Sequence, residues 1–228
     1  MDQPLREAQK EARAEAAPFV LLTAGVLVLM GFLSLSLSWD LLGRDLWWVW
    51  LVLAAPELLA ALALFAGVGR GASGYNRRRL VIGLIAMVIV GSLVGLALMV
   101  ASLLRYGGGL SGAQLLASAA ALLLTNVVAF ALAFWELDCG GPVARSLADR
   151  RRGPDFQFPQ DENPTLARPG WAPQLLDYAY LSLTNSIAFS PTDVMPLSRR
   201  AKALMAVESA LSFGTILVVA ARAINILR

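Results

Sequence analysis

The sequence has no histidine, a single cysteine and few charges. Without imidazole there is no histidine general base, no histidine metal ligand and no histidine-ligated haem. Cys139 alone closes no internal disulfide and builds no thiolate metal site, so neither a bridge-stabilised fold nor structural zinc is indicated. Charged residues make up 15% of the 228 and hydrophobic residues 57%, against roughly 25% and 45–50% in soluble domains. That leaves too little polar surface to cover the apolar mass, and it points to a bilayer protein.

The apolar residues come in runs of membrane length. A hydrocarbon core of about 30 Å takes roughly 20 helical residues. Phe19–Trp39 is uncharged, Leu46–Val68 is interrupted only by Pro56 and Glu57, and neither Leu80–Leu104 nor Gly112–Phe134 carries a charge. Ala203–Ala221, with Glu208 as its one acid, makes a fifth span. Segment 174–189 is different: it holds Asp177 and Asn185 and sits between Pro173 and Pro191. Fully helical, it reaches only about 24 Å, so it is predicted to be re-entrant. Such a helix survives at membrane depth where protein or a watery cavity surrounds it. The expected fold is therefore all-α, with five transmembrane helices and one short re-entrant helix. Its expected parts are an aqueous or interfacial helix over 1–17, a three-helix membrane region over 18–111, and a C-terminal module over 112–228. Within that module the outer helix covers 112–138, a loop 139–172, the short helix 174–189 and the last helix 200–227.

The basic residues sort by loop. Arg6, Lys10 and Arg13 precede the first span; Arg70, Arg77, Arg78 and Arg79 separate the second from the third. Arg145, Arg150, Arg151, Arg152 and Arg168 follow the fourth, while the other two interhelical loops hold only Arg44 and Arg105. The positive-inside rule puts the N-terminus and loops 69–79 and 139–172 in the cytoplasm of a cell-membrane protein. The same sorting accounts for the net charge of +3 without a nucleic-acid partner. The mixed-charge N-terminal segment lacks a convincing cleavage site and reads as a solvated helix rather than a secretory signal. Trp39, Trp47, Trp48 and Trp50 are expected in an outer aromatic belt, Trp135 and Trp171 in an inner one. Loop 139–172 reads either as an ordered cap over helix ends or as a site for anionic lipid or a partner.

Segment 177–227 carries the densest polar pattern. Ser182, Thr184, Asn185 and Ser186 end the short helix, and Ser190, Thr192 and Asp193 follow in a turn. An ion leaving water exchanges its hydration oxygens for carbonyls, hydroxyls and carboxylates, which this stretch supplies. Equally, Ser-Pro-Thr-Asp is a turn and N-cap sequence.

The order Tyr180, Ser182, Thr184, Asp193, Pro196, Ser198 and then a helix from about Arg200 resembles the pore-helix, filter and inner-helix region of tetrameric potassium channels. The resemblance covers about 50 of the 228 residues. It implies a homo-oligomer, a tetramer in that family, and an ion path for monovalent cations along Thr184, Asn185, Ser186, Ile187, Ala188, Phe189, Ser190, Thr192, Asp193 and Glu208. It also implies a hinge at Gly214. The family's Thr-Val-Gly-Tyr-Gly filter is absent. Ala188-Phe189-Ser190-Pro191-Thr192 stands there without glycine and with a proline that fixes φ, so any filter is non-standard. The family's filter also faces outward, whereas charge sorting puts this segment's flanks inside. The stretches ELDCGGP, PDFQFPQ and TNSIAFSPTDVMPL resemble, more closely, a family of bacterial multi-pass membrane proteins.

Glu57 and Glu208 are acids inside spans, where such groups are expensive and mark proton relays, cation sites or structural hydrogen bonds. Asn126 with Thr125 reads as interhelical glue, and Gly91-x-x-x-Gly95 as a close helix contact. Three functions are open: a channel-like homo-oligomer, a non-conducting scaffold or regulatory protein with a pore-like fold, and a small transporter using Glu57 and Glu208. An enzyme is disfavoured, and neither a cofactor nor a structural metal is expected.

Overall fold

The computed structural model describes residues 3–39, 42, 44–66, 74–106, 111–146, 153–165, 167–188 and 193–226. Helices α1 (Gln3–Ser36), α2 (Trp48–Ala66), α3 (Gly74–Tyr106) and α4 (Gly112–Leu137) come first. A 3-10 turn at Asp138–Gly140 leads through α5 (Pro142–Ser146), β1 (Phe156–Gln157) and α6 (Pro159–Glu162) to α7 (Leu175–Ala188). The chain then forms β2 (Met195–Pro196) and ends in α8 (Arg199–Ile226). The two short strands pair antiparallel, Phe156 opposite Pro196 and Gln157 opposite Met195.

Among the described residues, four helical stretches are long and apolar enough to cross a membrane: Gln3–Ser36, Arg79–Leu104, Gly112–Arg145 and Arg199–Ala221. Trp48–Leu62 is a shorter apolar helix. The outward faces agree with a lipid surrounding. Only 17% of the most apolar window of the third helix is buried, and Ile82, Met87, Val90, Leu93 and Val94 lie exposed along it. A soluble protein would not present so large a continuous apolar face.

The separate helix expected over 1–17 is instead part of α1, which runs unbroken through Pro18. A proline removes one N–H and one i−4 bond, and the alanine, leucine, glutamate and arginine around it are good helix formers. By internal packing the chain divides into two units: Met1–Pro18 with Val127–Ser209, and Phe19–Asn126 with Ala210–Arg228. These units cut across the consecutive parts 1–17, 18–111 and 112–228, because α1, α4 and α8 are long enough to contribute residues to both.

The second unit has a core of Leu27, Met30, Trp50, Leu53, Ala54, Met99, Leu115 and Leu122, among others, drawn from α1, α2, α3 and α4, with Val218 from α8. Trp50 is thus core rather than belt, and Trp135 is likewise buried, while Trp48 is exposed. Gly95 permits a close approach: a Cβ there would stand 2.6 Å from Leu122 Cδ2. Gly214 lies inside the continuous helix α8. A Cβ there would stand 3.1 Å from Leu96 Cδ2, so glycine at 214 lets α8 lie close to α3. The Asn126 amide donates to Ser212 Oγ at 2.9 Å, linking α4 to α8.

Candidate functional site

The first unit carries two buried polar clusters, and the one on α7 and α8 contains the acid singled out by sequence. Ser182, Asn185 and Ser186 are spaced i, i+3, i+4, which sets them on one face of α7. Glu208, on the third turn of α8, meets that face and is fully buried. Its Oε1 is paired with the Ser182 hydroxyl and accepts from Ser186 Oγ at 3.2 Å. Its Oε2 accepts from Asn185 Nδ2 at 2.6 Å. Asn185 Nδ2 also donates to Met205 O at 3.0 Å, and Ser209 Oγ donates to Asn185 O at 3.3 Å. Ser182 Oγ lies 2.8 Å from Val127 O of α4. A buried carboxyl without such partners would be costly; here three side chains of one helix supply them.

Of the residues assigned to an ion path, Asn185, Ser186 and Glu208 therefore meet. Thr184 does not join them: its hydroxyl turns back to Tyr180 O and Leu181 O of its own helix, at 3.0 Å each. One residue is about 100° of helix rotation, enough to carry Thr184 off the clamp face. Ile187, Ala188 and Asp193 are exposed. Phe189, Ser190 and Thr192 lie outside the described residues. Ser209, on one polar stripe of the last helix with Glu208, joins the cluster, and so does Ser182, which the assigned ion path leaves out; the i, i+3, i+4 spacing was the available signal for Ser182.

The second cluster ties loop 139–172 to the helix ends. Helix α4 stops where Cys139, Gly140 and Gly141 take positive φ values of 52°, 89° and 99°. At Gly141 a Cβ would also stand 3.1 Å from Glu136 Oε1. Pro142 then opens α5, where its missing N–H costs nothing. This turn buries Asp138, which is 2% exposed. Its Oδ1 accepts from the backbone N–H groups of Asp155 at 2.7 Å and Phe156 at 3.3 Å. Its Oδ2 accepts from the Tyr178 hydroxyl at 2.6 Å. Burial pushes the Tyr178 pKa upward, so the phenol stays a donor. Arg145 Nη1 caps the end of α4, donating to Trp135 O and Asp138 O at 2.8 Å each. Its guanidinium lies 5.2 Å from the Tyr178 ring centre. Asp155, itself buried, receives Arg200 from the start of α8 through Nε at 2.9 Å and Nη2 at 2.8 Å. Edge contacts from Phe134 through Phe156, Tyr178 and Phe158 to Trp171 fill the space between.

The loop is thus an ordered cap over its described residues. The N-terminus of α7 is closed by acids: Asp177 Oδ2 accepts from Gln174 N at 2.7 Å, and Glu15 Oε1 accepts from Leu175 N. Asp177, read from sequence as a polar intrusion into an apolar helix, is a helix cap. Ser198 caps α8 by accepting from Ala201 N at 3.1 Å. Among the described residues no three histidine, cysteine, aspartate or glutamate side chains gather where they could hold a metal ion. Compared with known families, curated proteins and solved structures, the chain matches none.

Proposed function

We propose that the chain is a cell-membrane protein with a pore-like C-terminal module, working as a homo-oligomer that passes monovalent cations. One observation supports this reading above the others: the Glu208 clamp fastens a helix of 14 residues, about 21 Å long, against a long apolar helix through buried polar contacts. In this reading α7 is re-entrant and α1, α2, α3, α4 and α8 are five full spans. The clamp turns one face of α7 inward and leaves Leu176, Tyr180, Leu183 and Ile187 exposed along another, a surface suited to lipid or to a second copy. A tetramer is the arrangement the module resembles. Residues 184–193 and α8 then border the path, and the proline at 191 with no glycine nearby gives it a filter unlike the glycine-built one.

Charge sorting supports a cytoplasmic N-terminus. A single cysteine introduced at Asp161 is expected to be protected from an impermeant thiol reagent in whole cells, and one at Arg44 is expected to label, both in a Cys139→Ala background. The opposite pattern would reverse the orientation. Cysteines at Gln174 and Ser198 are expected to report one side of the membrane. Opposite sides would make α7 a sixth span and remove the geometry of a pore loop.

Conduction is tested with the purified full chain in liposomes loaded with potassium or sodium. Passive monovalent-cation flux is expected. An intact oligomer that passes no ions would make the protein a non-conducting scaffold with a pore-like fold. Saturable flux that depends on pH or a co-ion would make it a transporter.

A further inference from the structure

Glu57 follows Pro56 inside α2, is 4% exposed, and neither of its carboxyl oxygens has a hydrogen-bond partner. Thr125 of α4 is also 4% exposed, and its hydroxyl too is without a partner. Both side chains line one small cavity within the second unit, together with Ser92 of α3. Buried polar atoms are almost always paired, so three unpaired ones on the wall of a single cavity ask for an occupant. The Ser92 hydroxyl spends its proton on Val88 O at 3.1 Å, which leaves its lone pairs available. The rest of the wall is leucine, valine and Gly91. Glu57 is therefore the only titratable or charged group facing the cavity from α1, α2, α3 or α4 among the described residues.

We infer that Glu57, Thr125 and Ser92 bind one monovalent cation such as sodium or lithium inside the membrane-spanning helices. The lining residues supply four oxygen atoms: two from the carboxylate and one from each hydroxyl. Oxygen is the donor that hard cations take. One carboxylate balances one positive charge, which selects a monovalent ion over a divalent one and removes the penalty of a lone buried anion. The cavity offers about 10 Å³ of room for the centre of a water-sized particle, enough for a single occupant. Protons compete for the same carboxylate. The inference does not rest on conduction by the C-terminal module, since none of the three residues belongs to the ion path assigned along 184–193 and Glu208.

The test is the melting temperature of the full chain in detergent, with choline as the reference cation. Sodium or lithium is expected to raise it by about 5 °C at a hundred times the dissociation constant, with the gain shrinking as pH falls. Glu57→Gln is expected to abolish the response. Thr125→Val, which keeps size and folding, is expected to raise the half-effect concentration about tenfold. A wild type indifferent to sodium and lithium from mildly acidic to mildly alkaline pH would overturn the site. So would an unchanged response in both variants. Failure of liposome conduction would leave this result untouched, so the two readings fall separately.

Discussion

Asp138→Ala is expected to release the cap formed by loop 139–172 and to cost about 3–5 kcal/mol of stability, the usual loss when one side of a buried charged network is removed. The carboxylate accepts from two backbone N–H groups and a phenol, all in the protein interior. Alanine returns none of those bonds, and the orphaned donors of Asp155, Phe156 and Tyr178 cost about 1–3 kcal/mol each. Tyr178→Phe removes one donor while keeping the ring among Phe156 and Phe158, so about 1–2 kcal/mol is expected. The double variant should lose less than the sum, because the shared bond can be broken only once. Thermal unfolding in detergent reads the stability, and trypsin reads the cap through Arg145, which is held against the end of α4. A variant at 138 that melts and is cleaved like the parent would show that Asp138 does not organise the loop.

The spans were legible because a bilayer imposes a length and a composition on any helix that crosses it, and the sequence meets both four times over. What was not legible was packing at long separation. Asp138 stands 17 and 18 residues from the backbone groups it binds and 40 from Tyr178. Nothing periodic connects such positions. The local signs were an aspartate directly after an apolar helix and ahead of Gly-Gly-Pro, and a second aspartate before Phe156. The structure joins ELDCGGP, PDFQFPQ and the segment leading into α8 in one cluster through Asp138, Asp155 and Arg200.

The end of α7 illustrates the other limit. At 1.5 Å per residue, the short link between α7 and α8 brings Glu208 to the depth of Asn185 and Ser186, and the structure pairs them. Rotation about α7 separates Thr184 from its neighbours. Asp177 shows a similar confusion of position with role. A carboxylate three residues from a helix start serves the free N–H groups of the first turn, whatever the hydrophobicity of the helix that follows.

Glu208→Leu is expected to cost about 2–5 kcal/mol and to loosen α7 from α8, whereas Glu208→Gln is expected to cost no more than about 1 kcal/mol. The difference follows from counting protons. The Ser182 hydroxyl has one, yet it faces both Val127 O and Glu208 Oε1. If Ser182 donates to Val127, it can only accept from Glu208, and the carboxyl must then carry a proton of its own. The Asn185 amide has two protons for Met205 O and Glu208 Oε2, and Ser186 gives its single proton to Oε1. With a neutral acid at 208 every proton in that set has an acceptor. A glutamine reproduces most of this, with its amide N–H donating to Ser182 and its oxygen accepting from Asn185; only the bond from Ser186 is lost. Leucine leaves the Asn185 and Ser186 donors unmatched in a fully buried site. Melting temperature in detergent gives the comparison. A glutamine variant as unstable as the leucine variant would mean that the parent holds an ionised carboxylate, with Ser182 donating to it rather than to Val127.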